Sequence, residues 1–178
     1  VVEIRRCYEA GLVGIGELHP DTQRFDLSDK KTMEPIMGSV REENLIVSTH
    51  SSEPVGHLYP GKGTVTPNIL WQLVQNFPDN ILVLAHWGGG LPFYALMPEV
   101  KKTLGNVYFD TAASSFLYNE TVFQIIPSII GGDRVLLGSD YPLLRTGRLL
   151  REIDVSAVSE QDKKAIRGNN AAYLLGIS

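Results

Sequence analysis

A single cysteine, Cys7, occurs in the 178 residues, so an intramolecular disulfide is excluded. It sits in a polar helical stretch beside Arg5, Arg6 and Tyr8, with no motif around it, and reads as an inert thiol in a cytoplasmic protein. No apolar run approaches the ~18 residues needed to span a membrane, and no charged-then-apolar leader signals secretion. Positive charge is not in excess: 16 Lys and Arg face 20 Asp and Glu, giving a net charge of −4 and a pI near 5.5. That balance argues against sequence-independent binding to nucleic acid or to anionic lipid. Low-complexity linkers and shifts of composition are also lacking, so residues 1–178 read as one domain. A helix start is missing too. Val1–Gly11 has a helical pattern without a cap, so the chain is expected to be part of something longer.

Short β-type runs alternate with longer helical ones. The expected strands are Leu12–Leu18, Leu45–His50, Ile81–His86, Val107–Asp110 and Val135–Gly138. Helical patterns cover Lys30–Glu43, Pro67–Asn76, Phe93–Leu104, Glu120–Ile130 and Glu160–Leu175. Strands begin at positions 12, 45, 81, 107 and 135, and each interval has the length of a strand–helix crossover. Leu45-Ile46-Val47, Ile81–Ala85 and Val135-Leu136-Leu137 are continuously apolar, as strands buried on both faces of a parallel sheet must be. Thr66-Pro67 reads as a capped helix start, and Gly11 and Gly105 as helix stops. Trp71, Phe77, Tyr94 and Phe123 fall at helical spacing and are assigned to the core. The fold class is parallel α/β.

Polar residues follow every strand: Glu17 and His19 after the first, His50 after the second, His86 after the third, Asp110 after the fourth and Asp140 after the fifth. In a parallel sheet these tips share one face, and in a barrel they converge on its mouth. Imidazole and carboxylate without thiolate suit a divalent cation, zinc ahead of manganese. His50, His86, Asp140 and Glu17 are the candidate donors at these tips, each open to a plainer reading as a loop or surface residue; Asp110 reads better as a loop cap. His19, His57, Lys62 and Trp87 are the candidates for touching a small-molecule substrate.

The segments IVSTH at 46–50, LVLAHWGGG at 82–90, VLLGSDYP at 135–142 and NNAAYLLGI at 169–177 resemble the amidohydrolase superfamily. The closest likeness is to its amidohydrolase-2 branch, which includes aminocarboxymuconate-semialdehyde decarboxylase and several lactonases. The resemblance implies a partial (β/α)8 TIM barrel, with parallel strands four to eight, flanking helices and the first strands lacking. It implies that His50 is the strand-five metal ligand and that His86 is a second ligand or a catalytic histidine. Asp140 would bind metal and accept a proton from an activated water. GIGEL at 14–18 is similar to TatD-type hydrolases, where a glutamate bridges two metals. The family's first-strand His-x-His pair does not occur here, which places strands one to three outside these residues. Five strands leave two open edges, so such a fragment on its own is expected to self-associate, as a homo-oligomer, to rearrange or to be unstable.

The first functional expectation is hydrolysis of an amide, ester or lactone by a metal-activated water. Asp140 would be the proton carrier and His86 a donor to the developing oxyanion. Non-oxidative decarboxylation, a two-metal phosphodiesterase and a degenerate barrel without catalysis are the alternatives. The Gly88–Gly90 amides are candidates for holding a substrate carboxylate, although a plain glycine turn is the simpler reading. Gly56–Thr64 has the spacing of a phosphate loop, but Leu58, Tyr59 and Pro60 are wrong for wrapping phosphate. A loop over the active site is the better reading of this segment.

Overall fold

Five apolar runs form one parallel sheet in a computed structural model of the chain, which describes residues 1–177. The strands are β1 (Gly14–Leu18), β2 (Ile46–Thr49), β3 (Ile81–Leu84), β4 (Val107–Asp110) and β5 (Val135–Leu136), and they lie side by side in sequence order. All four pairings are parallel. With helices between successive strands, this is part of a (β/α)8 barrel. Three strands end earlier than their apolar runs suggest, β2 at Thr49, β3 at Leu84 and β5 at Leu136.

Helices cover the sheet through apolar stripes. Lys30–Glu42 buries Met33, Met37 and Val40, three positions on one helical face, and Asp29 caps it by accepting the Lys31 N–H. Pro67–Asn76 buries Leu70, Leu73 and Val74. These side chains join Val47, Leu82, Leu84 and Phe109 in the largest core cluster. On another part of the sheet, Val83, Tyr108 and Leu136 pack with Ala171 and Leu174 of the last helix. Asn170, at the start of that helix, donates to the carbonyls of Gly132 and Val135 at 2.8 and 2.7 Å, tying the helix to the entry of β5.

Several local expectations are corrected. Phe93–Leu104 is not one helix: a 3-10 segment, Leu91–Leu96, ends at extended Met97, and Pro98 starts a new helix, Pro98–Thr103. The residue before proline is pushed out of the helical region, so Pro98 itself marks the break. The 3-10 period also carries Tyr94 out of the core, where it is 51% exposed. Glu160–Leu175 is interrupted over Ala165–Asn169, where Gly168 departs from helical geometry. Thr66 makes no side-chain cap, and Gly105 lies inside the 3-10 turn Leu104–Asn106. Gly11, by contrast, takes the left-handed φ of +89° expected of a helix stop. Thr146–Val155 is a helix that the sequence reading passed over, although Leu149 and Ile153, one turn apart, are both buried.

Candidate metal centre

Three side chains from three adjacent strand tips converge: Glu17, His50 and His86 each offer a ligand atom, and these atoms lie within 4.8 Å of one another. Each arrives by a different local device. Ile15 and Leu18 of β1 pair with Val47 and Thr49 of β2, so β1 carries one extra residue there. Such a bulge re-aims a side chain, here that of Glu17. Gly16 permits it: its φ is +141°, and a Cβ would stand 2.5 Å from the Ser48 carbonyl oxygen. His50 follows β2 directly, its N–H donating to the Leu18 carbonyl at 2.8 Å. His86 begins a left-handed turn in which five successive residues, His86 to Gly90, have positive φ. Three of them are glycine, and His86 and Trp87 carry the strain.

Glu17 Oε1 lies 3.0 Å from His50 Nδ1 and 3.7 Å from His86 Nε2. The opposite nitrogens are tied elsewhere. His86 Nδ1 is 3.4 Å from the Ala112 carbonyl, and His50 Nε2 is 3.1 Å from the Gly61 carbonyl and 3.2 Å from Ser52 Oγ. A carbonyl can only accept, so protons on those outer nitrogens leave two lone pairs and a carboxylate facing one another. That is the arrangement a divalent cation needs, with ligand imidazoles oriented by outer carbonyls. The donor set therefore fits a divalent metal.

Charges follow from these contacts. The hydrogen bond from His50, then the His86 imidazole 3.7 Å away, holds the Glu17 carboxyl down at about 2. Burial pulls His86 downward, but Glu17, Asp110 and Asp140 more than offset it and raise the imidazole to about 9. Glu17 stabilises the fold above its ordinary range and loses that contribution as pH falls through about 2. The His86 contribution is complete below 6.5 and is lost as pH rises through about 9. Metal-free protein should therefore lose about 1–2 kcal/mol between pH 6 and 10, allowing for partial exposure of the Glu17 carboxylate. Denaturant unfolding with chelator present measures this, and His86→Gln should flatten the slope. Metal-loaded protein should show the reverse trend, since the cation competes with the proton.

The cluster opens on a cavity of about 370 Å³ lined by His50, His86 and Asp140, by His57, Tyr59 and Gly61 of a loop, and by Ala113, Phe116, Leu117 and Leu143. A larger groove of about 480 Å³, bounded by Trp71, Tyr94 and Met97, lacks any histidine and has Glu99 as its one carboxylate. The chemistry lies in the smaller one. The loop over it is pinned at several points. Tyr59 donates to Glu53 at 2.8 Å, and Asp21 accepts from the N–H and hydroxyl of Thr64 at 2.9 and 2.8 Å. Lys62 turns back to the carbonyls of Val55 and His57. A lysine so occupied, with a carbonyl rather than an amide aimed at His50, makes no phosphate cradle.

The remaining candidates separate. Asp140 lines the cavity from an exposed turn beyond β5, with φ +60°, and is not one of the three clustered donors. His19 stacks on His50 at 4.4 Å between ring centroids and meets Thr22 through Nδ1. His57 is exposed on the loop and lines the cavity. Trp87 is corrected: it is fully buried against Phe123, donates to Ser114 Oγ at 2.7 Å and does not line the cavity. The amides of Gly89 and Gly90 donate to the carbonyls of His86 and Trp87, so they are not available to an anion. Sequence reasoning missed Ser52, two residues after His50, and the Gly61 carbonyl, for which a side-chain reading has no signal. Phe116, Leu117 and Leu143 line the cavity but carry no chemical signal in the sequence. Among the described residues no helix is long and apolar enough to cross a membrane.

A family model described as amidohydrolase matches residues 1–177. The 2-amino-3-carboxymuconate-6-semialdehyde decarboxylase of Dictyostelium discoideum is 25% identical over 213 residues, covering 99% of this chain and 57% of that protein. The structure of 5-carboxyvanillate decarboxylase from Sphingomonas paucimobilis superposes with a TM-score of 0.77 at 17% identity, over 99% of this chain and 62% of that one. That of 5-carboxyvanillate decarboxylase from Novosphingobium aromaticivorans, complexed with manganese and 4-hydroxy-3-methoxy-5-nitrobenzoic acid, gives 0.76 at 20% identity, over 99% and 60%. The chain spans little more than half the length of the curated relatives it matches.

Proposed function

The chain belongs to the amidohydrolase family, and from that premise we propose that it is the metal-carrying portion of a decarboxylase acting on a small aromatic or unsaturated carboxylic acid. The observation that carries the reading is the convergence of Glu17, His50 and His86, two of which, His50 and His86, line a cavity together with Phe116, Leu117 and Leu143. A flat apolar acid fits such a space, with its carboxylate toward the donors and its ring against the apolar side chains. Hydrolysis comes second, because the similar proteins named above are decarboxylases.

Glu17, His50 and His86 would hold one divalent cation, and manganese moves level with zinc because a similar structure carries it. When bound, the cation would supply positive charge that polarises substrate oxygens and offsets developing negative charge. As the carbon–carbon bond breaks, carbon dioxide departs without the bonding electron pair, and a proton must replace it. Asp140 is the group assigned to deliver the proton: it lines the cavity outside the donor cluster and can be recharged from solvent. His86, with Nε2 turned to Glu17, would serve the cation; Lys62 braces the loop through the Val55 and His57 carbonyls, and His57, which lines the cavity, and His19, stacked on His50, are the side chains placed to meet substrate.

The test is a panel of hydroxylated aromatic acids and unsaturated diacids, assayed with manganese or zinc for carbon dioxide release, beside esters and lactones assayed for hydrolysis. Carbon dioxide formed in step with decarboxylated product, and reduced roughly 100-fold or more in Asp140→Asn, is the expected result. Hydrolysis of a lactone or ester with no carbon dioxide from any acid would overturn it.

A further inference from the structure

Asp110 is a half-buried carboxylate that this chemistry leaves unused. It ends β4, and its surroundings raise its pKa, burial foremost, against the opposing pull of His86 and two backbone donors. One oxygen, Oδ1, accepts both donors: the His86 N–H at 2.9 Å and the Ala112 N–H at 2.9 Å. The Ala112 carbonyl in turn faces His86 Nδ1. His86 is thus held by its backbone and by its ring through one carboxylate oxygen and a single neighbouring residue.

His86 needs such restraint. Its φ of +55° is uncommon for a residue with a side chain, and Trp87 repeats it at +56°. A backbone of this kind persists only where its surroundings fix it. His86 and Ala112 are 7% and 5% exposed, so losing the shared acceptor would strand two amides away from water. Space has been left for the carboxylate: a Cβ on Gly138 would lie 3.1 Å from Asp110 Cγ. The glycine after β5 and the aspartate of β4 therefore fit together.

We infer that Asp110 is a positioning residue that sets the backbone and ring of His86, and with them the geometry of the three-donor cluster. The inference rests on the metal reading given above, but its mechanical part does not. The hydrogen bonds require an acceptor oxygen, not a charge. Asparagine keeps that oxygen, and alanine removes it.

The experiment compares wild type, Asp110→Asn and Asp110→Ala by cobalt titration followed in the visible spectrum, and by amide hydrogen exchange at His86 and Ala112 in metal-free protein. Alanine should weaken cobalt binding roughly 10–100-fold, change the bound spectrum and speed exchange at both amides. Asparagine should restore all three to within about threefold of wild type. Wild-type values in the alanine variant, or an asparagine variant as impaired as alanine, would overturn the inference. If wild type takes up no cobalt, the metal reading fails, and exchange alone decides: unchanged protection in the alanine variant refutes the role of Asp110, and lost protection rescued by asparagine upholds it. Should the alanine variant not fold, the asparagine variant still decides, because loss of cobalt binding and amide protection there would refute a role that needs only the acceptor.

Discussion

Gly89→Ala is expected to destabilise the protein by about 3 kcal/mol or more, the largest effect of any single methyl group in the chain. Gly89 has φ +58°, and a Cβ there would stand 2.3 Å from the Ser52 carbonyl oxygen and 2.7 Å from its carbon. The clash is with backbone, so no rotamer relieves it. Ser52 cannot retreat either, because its hydroxyl accepts from Gly63 N–H at 2.9 Å and lies 3.2 Å from His50 Nε2. The left-handed turn after β3 is thus pressed against the tip of β2, and a methyl group at Gly89 displaces His50 as it strains the fold. Gly105→Ala is the control: nothing lies within 4 Å of its Cβ position, so its stability should stay within about 0.5 kcal/mol of wild type. Urea unfolding of both variants decides. A Gly89→Ala protein as stable as wild type would contradict the packing described.

His50→Ala should lower divalent-metal affinity by two orders of magnitude or more while leaving the metal-free protein folded. A ligand histidine outweighs its supporting partners, whose loss alone costs about 10–100-fold. Folding should survive, because in the metal-free state the side chain makes polar contacts to Glu17, Gly61 and Ser52 and ring contacts to His19 and His86, and belongs to none of the hydrophobic core clusters. His57→Ala, exposed on the loop, should leave metal affinity unchanged and act on substrate binding alone. Equilibrium dialysis with manganese or zinc reads both variants. Equal loss in the two would mean that the cation is held elsewhere.

Much of the architecture was legible because burial on both faces leaves a continuous apolar run, and such runs stand out at Leu45–Val47 and Ile81–Ala85. Glu17, His50 and His86 were legible for the same reason: parallel strands put their tips on one face. What escaped was direction. Trp87 follows His86, yet in a left-handed turn neighbouring side chains point differently, so one reaches the cluster while the other enters the core. Asp140 was grouped with the ligands, but β5 stops at Leu136 and three residues of irregular chain carry Asp140 to the cavity's side. The bulge that aims Glu17 is written in Gly16, though its meaning appears only when the register of β1 against β2 is known. Asp110, set aside as a cap, is one, and the amide it caps is that of a metal-ligand candidate.

Metal content and stability, measured together, test the central claim that Glu17, His50 and His86 form a cation site. Elemental analysis of the purified protein would be followed by thermal unfolding of chelated protein with manganese or zinc restored, beside the His50→Ala/His86→Ala double variant. A single divalent ion per chain and a stabilisation of about 2.7 kcal/mol at a hundredfold excess over Kd, absent from the double variant, are the predicted results. Substoichiometric metal with no shift in unfolding, or a shift that persists in the double variant, would contradict the account.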